Sequence, residues 1–142
     1  GTEATAQIAG FAKAVAQRAD QLEEILAHTR AMRDYALERL LSIPTVQVLG
    51  TPDAPHILCL TLPGYPSQNL VSELGDKGIC ISAGSACHKG KPSHVYAALK
   101  LPKSDLDGAL RISFSYDTTQ QDVDALADGL RAAKGQLFPT LS

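Results

Sequence analysis

The chain has 142 residues, of which 44% are hydrophobic and 20% are charged, and its formal net charge is -2. This length suits one ordinary domain with a core of its own. The near-neutral charge gives no reason to expect nucleic-acid binding, and no apolar run approaches the roughly 20 residues that a membrane-spanning helix needs. Three cysteines, an odd number, in a chain whose first residues carry no secretory cue favour reduced thiols. We therefore expect a cytoplasmic protein with no membrane or nucleic-acid partner.

The first third of the sequence carries apolar residues at helical spacing. The stripe consists of Ile8, Phe11, Val15, Leu22, Ile25, Leu26, Met32, Leu37 and Leu40. It predicts one long helix, or two helices joined end to end, that reaches about Leu41 and is capped by Thr2 or Thr5; Pro44 lies beyond its end. Because so long a stripe exceeds what a small core needs, we expect an exposed apolar patch near its N-terminal half.

Short strand patterns follow the helix. Apolar runs at 46–49 and 56–62 end at glycine or proline and predict two strands. Residues 79–81 form a further short candidate. Residues 110–114 alternate apolar and polar side chains, as a half-buried strand does.

Helix starts and one loop separate these strands. Ser67, Ser93 and one of Thr118 or Thr119 are placed to cap three helices, and residues 82–92 form a loop rich in Gly, Ser and Lys. The order of elements predicts an α+β fold, with a long N-terminal helix and a small sheet covered by helices mainly on one face.

The 82–92 loop contains the most reactive thiol that the sequence offers, Cys87. His88, Lys89, Lys91 and His94 follow it closely, and nearby cations favour the thiolate, which is the nucleophilic form of cysteine. An idle surface thiol is the alternative interpretation. Cys59 and Cys80 lie in apolar runs, and we expect both to be buried core thiols.

A zinc site is the competing interpretation of this region. Cys80, Cys87, His88 and His94 are close in sequence. Their spacing matches none of the usual paired-ligand patterns, and adjacent Cys87 and His88 would point in different directions. We therefore predict no metal site.

Arg111 lies in the middle of the predicted 110–114 strand. Strand alternation puts it on one face with Ser113 and Ser115, opposite Leu110 and Ile112. A planar guanidinium binds a carboxylate through two parallel hydrogen bonds, so an arginine fixed on a strand suits an amino-acid substrate. The alternative is a solvated strand arginine.

Several separate motifs, in order, resemble those of cysteine desulfurases. They are the run GICISAGSAC ending at Cys87, PSHV at 92–95, AAL at 97–99, LRISF at 110–114 followed by two threonines at 118–119, and the opening GTE with IAGF at 8–11. The resemblance extends over essentially the whole chain. It implies the fold of class V aminotransferases, which belong to fold-type I, and a small, mostly antiparallel sheet.

The resemblance also implies an activity and roles for individual residues. Enzymes of this family work as homodimers that bind pyridoxal phosphate through a lysine, take L-cysteine as substrate, release alanine, and hold the sulfur as a cysteine persulfide. A sulfur-acceptor or scaffold protein then receives it for iron–sulfur cluster or thio-cofactor assembly. By position, Cys87 would carry the persulfide and Arg111 would bind the substrate carboxylate. Thr2 would contact the cofactor phosphate of the neighbouring subunit.

The same resemblance leads us to expect a fragment. The cofactor lysine of the family precedes the GTE segment, so the chain corresponds to the C-terminal part of such an enzyme. Residues 1–20 would belong to the edge of the large domain, and residues 21–142 would form the small C-terminal domain with its 82–92 loop. We expect this fragment alone to bind no cofactor and to make no sulfide.

Two other functions remain open at this stage. One is a stand-alone interaction or sulfur-relay module that presents Cys87 to a partner. The other is a relative with the same fold and a different reaction, such as a selenocysteine lyase or another class V aminotransferase. A thiol at Cys87 favours sulfur chemistry over plain transamination, which needs no nucleophile there.

Overall fold

A computed structural model of the chain describes residues 2–83 and 98–139. Its helices and strands, in chain order, are α1 (Thr5–Ala19), α2 (Leu22–Leu41), β1 (Gln47–Val48), β2 (Ile57–Thr61), α3 (Ser67–Gly75), α4 (Lys103–Asp107), β3 (Ala109–Ser113) and α5 (Gln120–Gln136). No helix in the described part is long and apolar enough to cross a membrane.

The three strands form one antiparallel sheet in the order β1-β2-β3. Five residue pairs join the two longer strands, from Ile57 opposite Ser113 to Thr61 opposite Ala109. The predicted α+β fold with a small antiparallel sheet is confirmed, and the alternating strand at 110–114 is displaced by a single residue.

The helices α2 and α5 pack on each other over one face of the sheet, and α3 packs on α5. Under them lie the alternate strand residues Leu58, Leu60, Leu110 and Ile112, all of them buried. Full burial of a leucine side chain contributes roughly 1.5–3 kcal/mol, so this face holds most of the stability of the sheet.

The predicted long helix is two helices, which meet at Asp20 and Gln21. α1 buries no residue, and Phe11 is 73% exposed with Ile8 and Val15 on the same side. The exposed apolar patch is thereby confirmed. The helix break coincides with the predicted boundary between 1–20 and 21–142, and the division into domains stays a prediction.

The last helix begins as the sequence predicted. The Thr119 hydroxyl accepts a hydrogen bond from the Asp122 N–H at 3.2 Å, and the Asp122 carboxylate accepts one from the Thr119 N–H at 2.8 Å. This reciprocal arrangement is a capping box, which satisfies two backbone donors at the helix start.

Other predicted caps are wrong. α1 has Ala4 at its N-cap, so Thr5 is already its first helical residue and Thr2 lies outside it. α3 has Pro66 at its N-cap, so Ser67 is the first residue of the helix. In neither helix does a side chain bond the free backbone N–H groups.

Two further differences concern the second half of the chain. Residues 79–81 form no strand, and the chain joins the sheet only through an isolated bridge at Ser82. The helix α4, which begins after Pro102, was not predicted, because five residues are too few for a helical period to be visible. Most of the short helix predicted from Ser93 lies outside the described residues.

Candidate functional site around Arg111

Arg111 occupies the middle of β3, on the face of the sheet that α2 and α5 do not cover. Its neighbours Leu110 and Ile112 are 2% and 4% exposed and point into the core, while Arg111 is half-buried and Ser113 is exposed. Strand alternation therefore gave the correct face for this side chain. The guanidinium is carried by a paired strand rather than by a loop, which fixes its position.

The backbone of Arg111 is held from both sides. On one side, β2 places Cys59 directly opposite it. On the other, its N–H donates to the Ser82 carbonyl at 2.7 Å, and the Ser82 N–H donates back to the Arg111 carbonyl at 3.1 Å. The chain thus reaches the outer edge of β3 at Ser82, immediately before the segment that contains Cys87.

The side chain of Arg111 has an unusual feature. Its Nε is buried, and among the described residues it has no hydrogen-bond partner. A buried donor without a partner costs roughly 1–3 kcal/mol, so each such atom needs an explanation, and an acceptor supplied by a ligand is one. A carboxylate suits it, because two oxygens can accept parallel bonds from a guanidinium.

The uncovered face changes from closed to open along the strands. At one end Thr61 and Ala109 are buried, and the Thr61 hydroxyl donates to the Asp105 carbonyl of α4 at 2.7 Å. At the other end Ile57 is half-buried and Ser113 is exposed. Arg111 lies between these ends.

The other predicted site residues are not seen at this position. Cys87, the predicted persulfide cysteine, lies outside the described residues, as do His88, Lys89 and His94. Thr2 is described and exposed, and it precedes α1. Near the C-terminal end of α1, the Arg18 guanidinium lies over the Tyr116 ring, 3.9 Å from the ring centroid. The roles predicted for Cys87 and Thr2 therefore stay predictions.

The remaining two cysteines differ from each other. Cys59 is half-buried and packs beside a small apolar cluster. Cys80 is exposed, which contradicts the prediction of a core thiol. Its neighbours Ile79 and Ile81 pack against the core instead, and Cys80 lines an open recess of about 360 Å³ with Ile81 and Phe114.

Cys59 lies opposite Arg111, which the sequence did not predict. The pairing depends on the register between β2 and β3, and alternation within one strand carries no information about register.

No group of three or more His, Cys, Asp or Glu side chains converges within residues 2–83 and 98–139. Of the four candidates for a zinc site, only Cys80 belongs to this part of the chain. The absence of a metal in the 82–92 loop therefore stays a prediction.

The lysines of the described part do not fit a cofactor linkage. Lys13, Lys77, Lys100 and Lys103 are exposed, and Lys134 donates to the Pro44 carbonyl at 2.6 Å. A Schiff-base lysine works at neutral pH only when burial or a neighbouring cation lowers its pKa. The described residues thus offer the guanidinium of Arg111 but no complete cradle for pyridoxal phosphate.

Comparison with known proteins gives a consistent relationship. The family model of class-V aminotransferases matches residues 1–126. A cysteine desulfurase of Cereibacter sphaeroides is 35% identical over 113 residues, which are 76% of this chain and 29% of that protein. A cysteine desulfurase of Methanosarcina thermophila is 33% identical over 132 residues, 90% of this chain and 33% of the relative. The chain therefore spans about a third of the length of the curated relatives it matches.

Solved structures share the fold. A NifS-like protein of Rickettsia africae superposes with a TM-score of 0.83 at 24% identity, over 95% of this chain and 36% of that one. The cysteine desulfurase CsdA of Escherichia coli gives a TM-score of 0.78 at 25% identity, over 97% and 32% of the two chains. With a family model that covers most of its length, the chain belongs to the class V aminotransferase family.

Proposed function

We propose that this chain is the C-terminal part of a cysteine desulfurase, which takes sulfur from L-cysteine as a persulfide on Cys87 and releases alanine. The observation that carries the proposal is Arg111, an arginine fixed on a strand with a buried Nε that lacks a partner among the described residues. Relatives at 30–35% identity are cysteine desulfurases, which supports the same reaction.

Arg111 would bind the carboxylate of L-cysteine. Its guanidinium stays charged at any physiological pH and offers five donors in a fixed plane. Two of them can engage the two carboxylate oxygens, which leaves the amino group and the thiol of the substrate on the far side, ready to react. Because the arginine stands on a hydrogen-bonded strand, this contact also fixes the direction of the substrate.

The connection to Cys87 is short. The chain leaves the sheet at Ser82, opposite Arg111, and Cys87 follows five residues later. Five extended residues span at most about 18 Å, so covalent geometry alone keeps Cys87 within that distance of Ser82. A thiol tethered this close is a suitable nucleophile for a substrate held by Arg111.

The reaction balances without an outside oxidant. The Cys87 thiolate attacks the sulfur of L-cysteine, the bond between that sulfur and the substrate Cβ breaks, and the carbon skeleton takes up a proton and leaves as alanine. Pyridoxal phosphate, the cofactor of the family, supplies the electron sink when it is bound. The persulfide would then pass to an acceptor protein for iron–sulfur cluster or thio-cofactor assembly.

Three further features belong to the same proposal. We propose a homodimer in which Thr2 contacts the cofactor phosphate of the neighbouring subunit, and a cytoplasmic location where thiols stay reduced. A soluble acceptor or scaffold protein would approach the Cys87 segment. The support for these features is the family relationship and the cysteine content.

Replacement of Cys87 tests the proposal. In the complete protein that carries this chain, loaded with pyridoxal phosphate, Cys87→Ala should lower alanine release from L-cysteine by at least about 100-fold, because the sulfur has no nucleophile to accept it. Cys80→Ala is the matched control: it removes an exposed thiol to which no role is assigned and should keep full activity.

The assay measures alanine by amino-acid analysis and persulfide by intact mass, where one added sulfur should appear on the wild type only. Unchanged alanine release in Cys87→Ala contradicts the proposal. If L-selenocysteine is consumed equally by Cys87→Ala and wild type while L-cysteine is not consumed by either, a selenocysteine lyase replaces it.

A further inference from the structure

The backbone of Arg111 faces away from β2. Opposed residues of an antiparallel pair alternate between hydrogen-bonded and non-bonded positions. The Phe114 N–H donates to the His56 carbonyl at 2.9 Å, so this pair is a bonded one. Arg111 lies three positions before Phe114, so it stands opposite Cys59 in a non-bonded position. Its N–H and its carbonyl therefore point to the outer edge of β3.

Ser82 supplies both partners that this backbone needs. The Arg111 N–H donates to the Ser82 carbonyl at 2.7 Å, and the Ser82 N–H donates back to the Arg111 carbonyl at 3.1 Å. Such a reciprocal pair brings the two Cα atoms to about 5.5 Å from each other. Within residues 2–83 and 98–139, this bridge is the one backbone pairing on the outer edge of β3. The peptide groups of Arg111 are thus held by a single residue.

The segment that carries Ser82 is itself attached to the core. Gly78 follows α3 with a φ of 78°, which turns the chain back, and the Ile79 N–H donates to the Leu74 carbonyl at 2.9 Å. The partly buried side chains of Ile79 and Ile81 then pack against the main core cluster. Ser82 is therefore supported from the end of α3, and the bridge passes that support to β3.

The direction of the Arg111 side chain follows from its backbone. A guanidinium binds a carboxylate through two parallel hydrogen bonds, so a tilt of the strand would misalign both of them. β2 holds the strand on one side through the neighbouring residues Leu110 and Ile112, and the bridge holds it on the other. Pairing on both sides keeps the Arg111 peptide from rotating about the strand axis.

We propose that Ser82 is a positioning residue for Arg111: its backbone pair with the arginine sets the direction in which the guanidinium meets the substrate carboxylate. This inference rests on the proposed function of Arg111. It assigns the role to the backbone N–H and carbonyl of Ser82, whose bonds to Arg111 are short and reciprocal, and it does not depend on what the Ser82 hydroxyl contacts.

The test removes the N–H at position 82. Ser82→Pro has no backbone donor, and its ring occupies the space between the two strands where that hydrogen bond lies. Ser82→Ala lacks the same hydroxyl but keeps both backbone bonds, so it is the reference. In the cofactor-loaded complete protein, Ser82→Pro should have a KM for L-cysteine at least about fivefold above that of Ser82→Ala and a kcat within about threefold, because a contact made equally in the ground state and the transition state affects KM alone.

Two controls separate this effect from general damage. Ala83→Pro places the same ring one position later, outside the bridge, and should leave KM within about twofold of wild type. Arg111→Ala should raise KM by itself, and in that background Ser82→Pro and Ser82→Ala should have the same KM, because the side chain that the bridge directs is gone. A structural defect that did not act through Arg111 would persist in this background.

The outcomes distinguish the two proposals. If Arg111→Ala raises KM while Ser82→Pro behaves like Ser82→Ala, Ser82 does not position Arg111 and only this inference is overturned. The same conclusion follows if Ala83→Pro raises KM as much as Ser82→Pro does, or if Ser82→Pro raises KM equally with and without Arg111. If Arg111→Ala leaves KM for L-cysteine unchanged, the proposed function of Arg111 is overturned as well.

A milder change decides if Ser82→Pro fails to fold by circular dichroism. Lactic acid at position 82, joined through an ester, has the side chain of alanine and lacks only the N–H. A KM at least about twofold above that of Ser82→Ala, at constant kcat, supports the inference, because one hydrogen bond to the Arg111 carbonyl is lost. An equal KM overturns it.

Discussion

The two faces of the three-stranded sheet are built from alternate residues of the same strands, and they differ in almost every property. Leu58, Leu60 and Leu110 point under α2 and α5 and are at most 2% exposed. Cys59, which lies between Leu58 and Leu60, and Arg111, which follows Leu110, point the other way and are half-buried. One face is a closed apolar core, and the other presents a cation with a buried Nε that lacks a partner in the described residues.

This difference should separate a strongly stabilising position from a weakly stabilising one by a single step along the strand. A side chain at Leu58 contributes through packing, because it is surrounded by the helix layer. A side chain at Cys59 is half-buried beside a smaller apolar cluster. Substitutions at neighbouring positions should therefore differ in their cost to stability, and the predictions below test that difference.

The largest effect on stability should come from the helix-covered face. Leu58→Ala removes a side chain that is 0% exposed and leaves a cavity that the sheet and helices cannot close, which costs roughly 2–5 kcal/mol. Cys59→Ala, one residue later on the open face, should cost about 1 kcal/mol or less. Urea unfolding of the chain followed by circular dichroism compares the two.

The comparison has a clear contrary result. If Leu58→Ala and Cys59→Ala lowered the free energy of unfolding equally, the two faces of the sheet would be equally packed. The face that carries Cys59 would then need a covering element that buries as much surface as α2 and α5 do. Equal slopes of the two urea transitions are required for the comparison, because a changed slope reports a changed denatured state.

A smaller effect is expected at the closed end of the second face, where α4 meets β3. Gly108 has no room for a side chain: a Cβ there would collide with the Leu62 carbonyl and touch the Thr61 hydroxyl. The Gly108 carbonyl also accepts from the Leu62 N–H at 3.1 Å, so the backbone cannot easily withdraw. Gly108→Ala should cost about 1–3 kcal/mol, through displacement of this junction.

Gly135 provides the matched control for Gly108. It lies in α5, and a Cβ there meets nothing within 4 Å. Gly135→Ala should therefore stabilise the chain by up to about 1 kcal/mol, because alanine has the better helix propensity. The midpoint of thermal unfolding should fall for Gly108→Ala and rise for Gly135→Ala. A shift in the same direction for both variants would contradict the close packing of α4 against β2.

The strand faces were the part of the fold that the sequence predicted best. Burial of Leu110 and Ile112, and the opposite direction of Arg111, followed from alternation alone. A cap at Thr118 or Thr119 was also predicted, because threonine is a common N-cap residue, and the structure has the cap at Thr119. Such features depend on residues that are close in sequence, where pattern and structure coincide.

Features that depend on distant partners were not predicted. The pairing of Cys59 with Arg111 needs a register between strands that are 52 positions apart in sequence. Cys80 was predicted to lie in the core because it stands between two isoleucines, yet those isoleucines take the inward positions and Cys80 is exposed. Proline at the start of α3 displaced the expected serine cap, because its fixed φ already suits that position.

The smallest expected effect concerns the helix layer that closes the first face. α5 begins at the capping box, where hydrogen bonds from the Thr119 backbone N–H and hydroxyl lower the pKa of the Asp122 carboxyl below its usual 3.8. A carboxyl with a lowered pKa in the folded state stabilises the fold above its unfolded pKa. That contribution is lost as the pH falls through the folded pKa.

Asp122→Asn should accordingly lower the thermal midpoint at about pH 7, and its difference from wild type should shrink as the pH falls and the wild-type carboxyl takes up its proton. Asp107→Asn makes the same substitution at an exposed aspartate outside the cap and serves as the matched control. A difference for Asp122→Asn that does not change as the pH is lowered would mean that the side chain acts through its shape alone. In that case the charge at the start of α5 would contribute nothing to the closed face that Val123 and Leu126 complete.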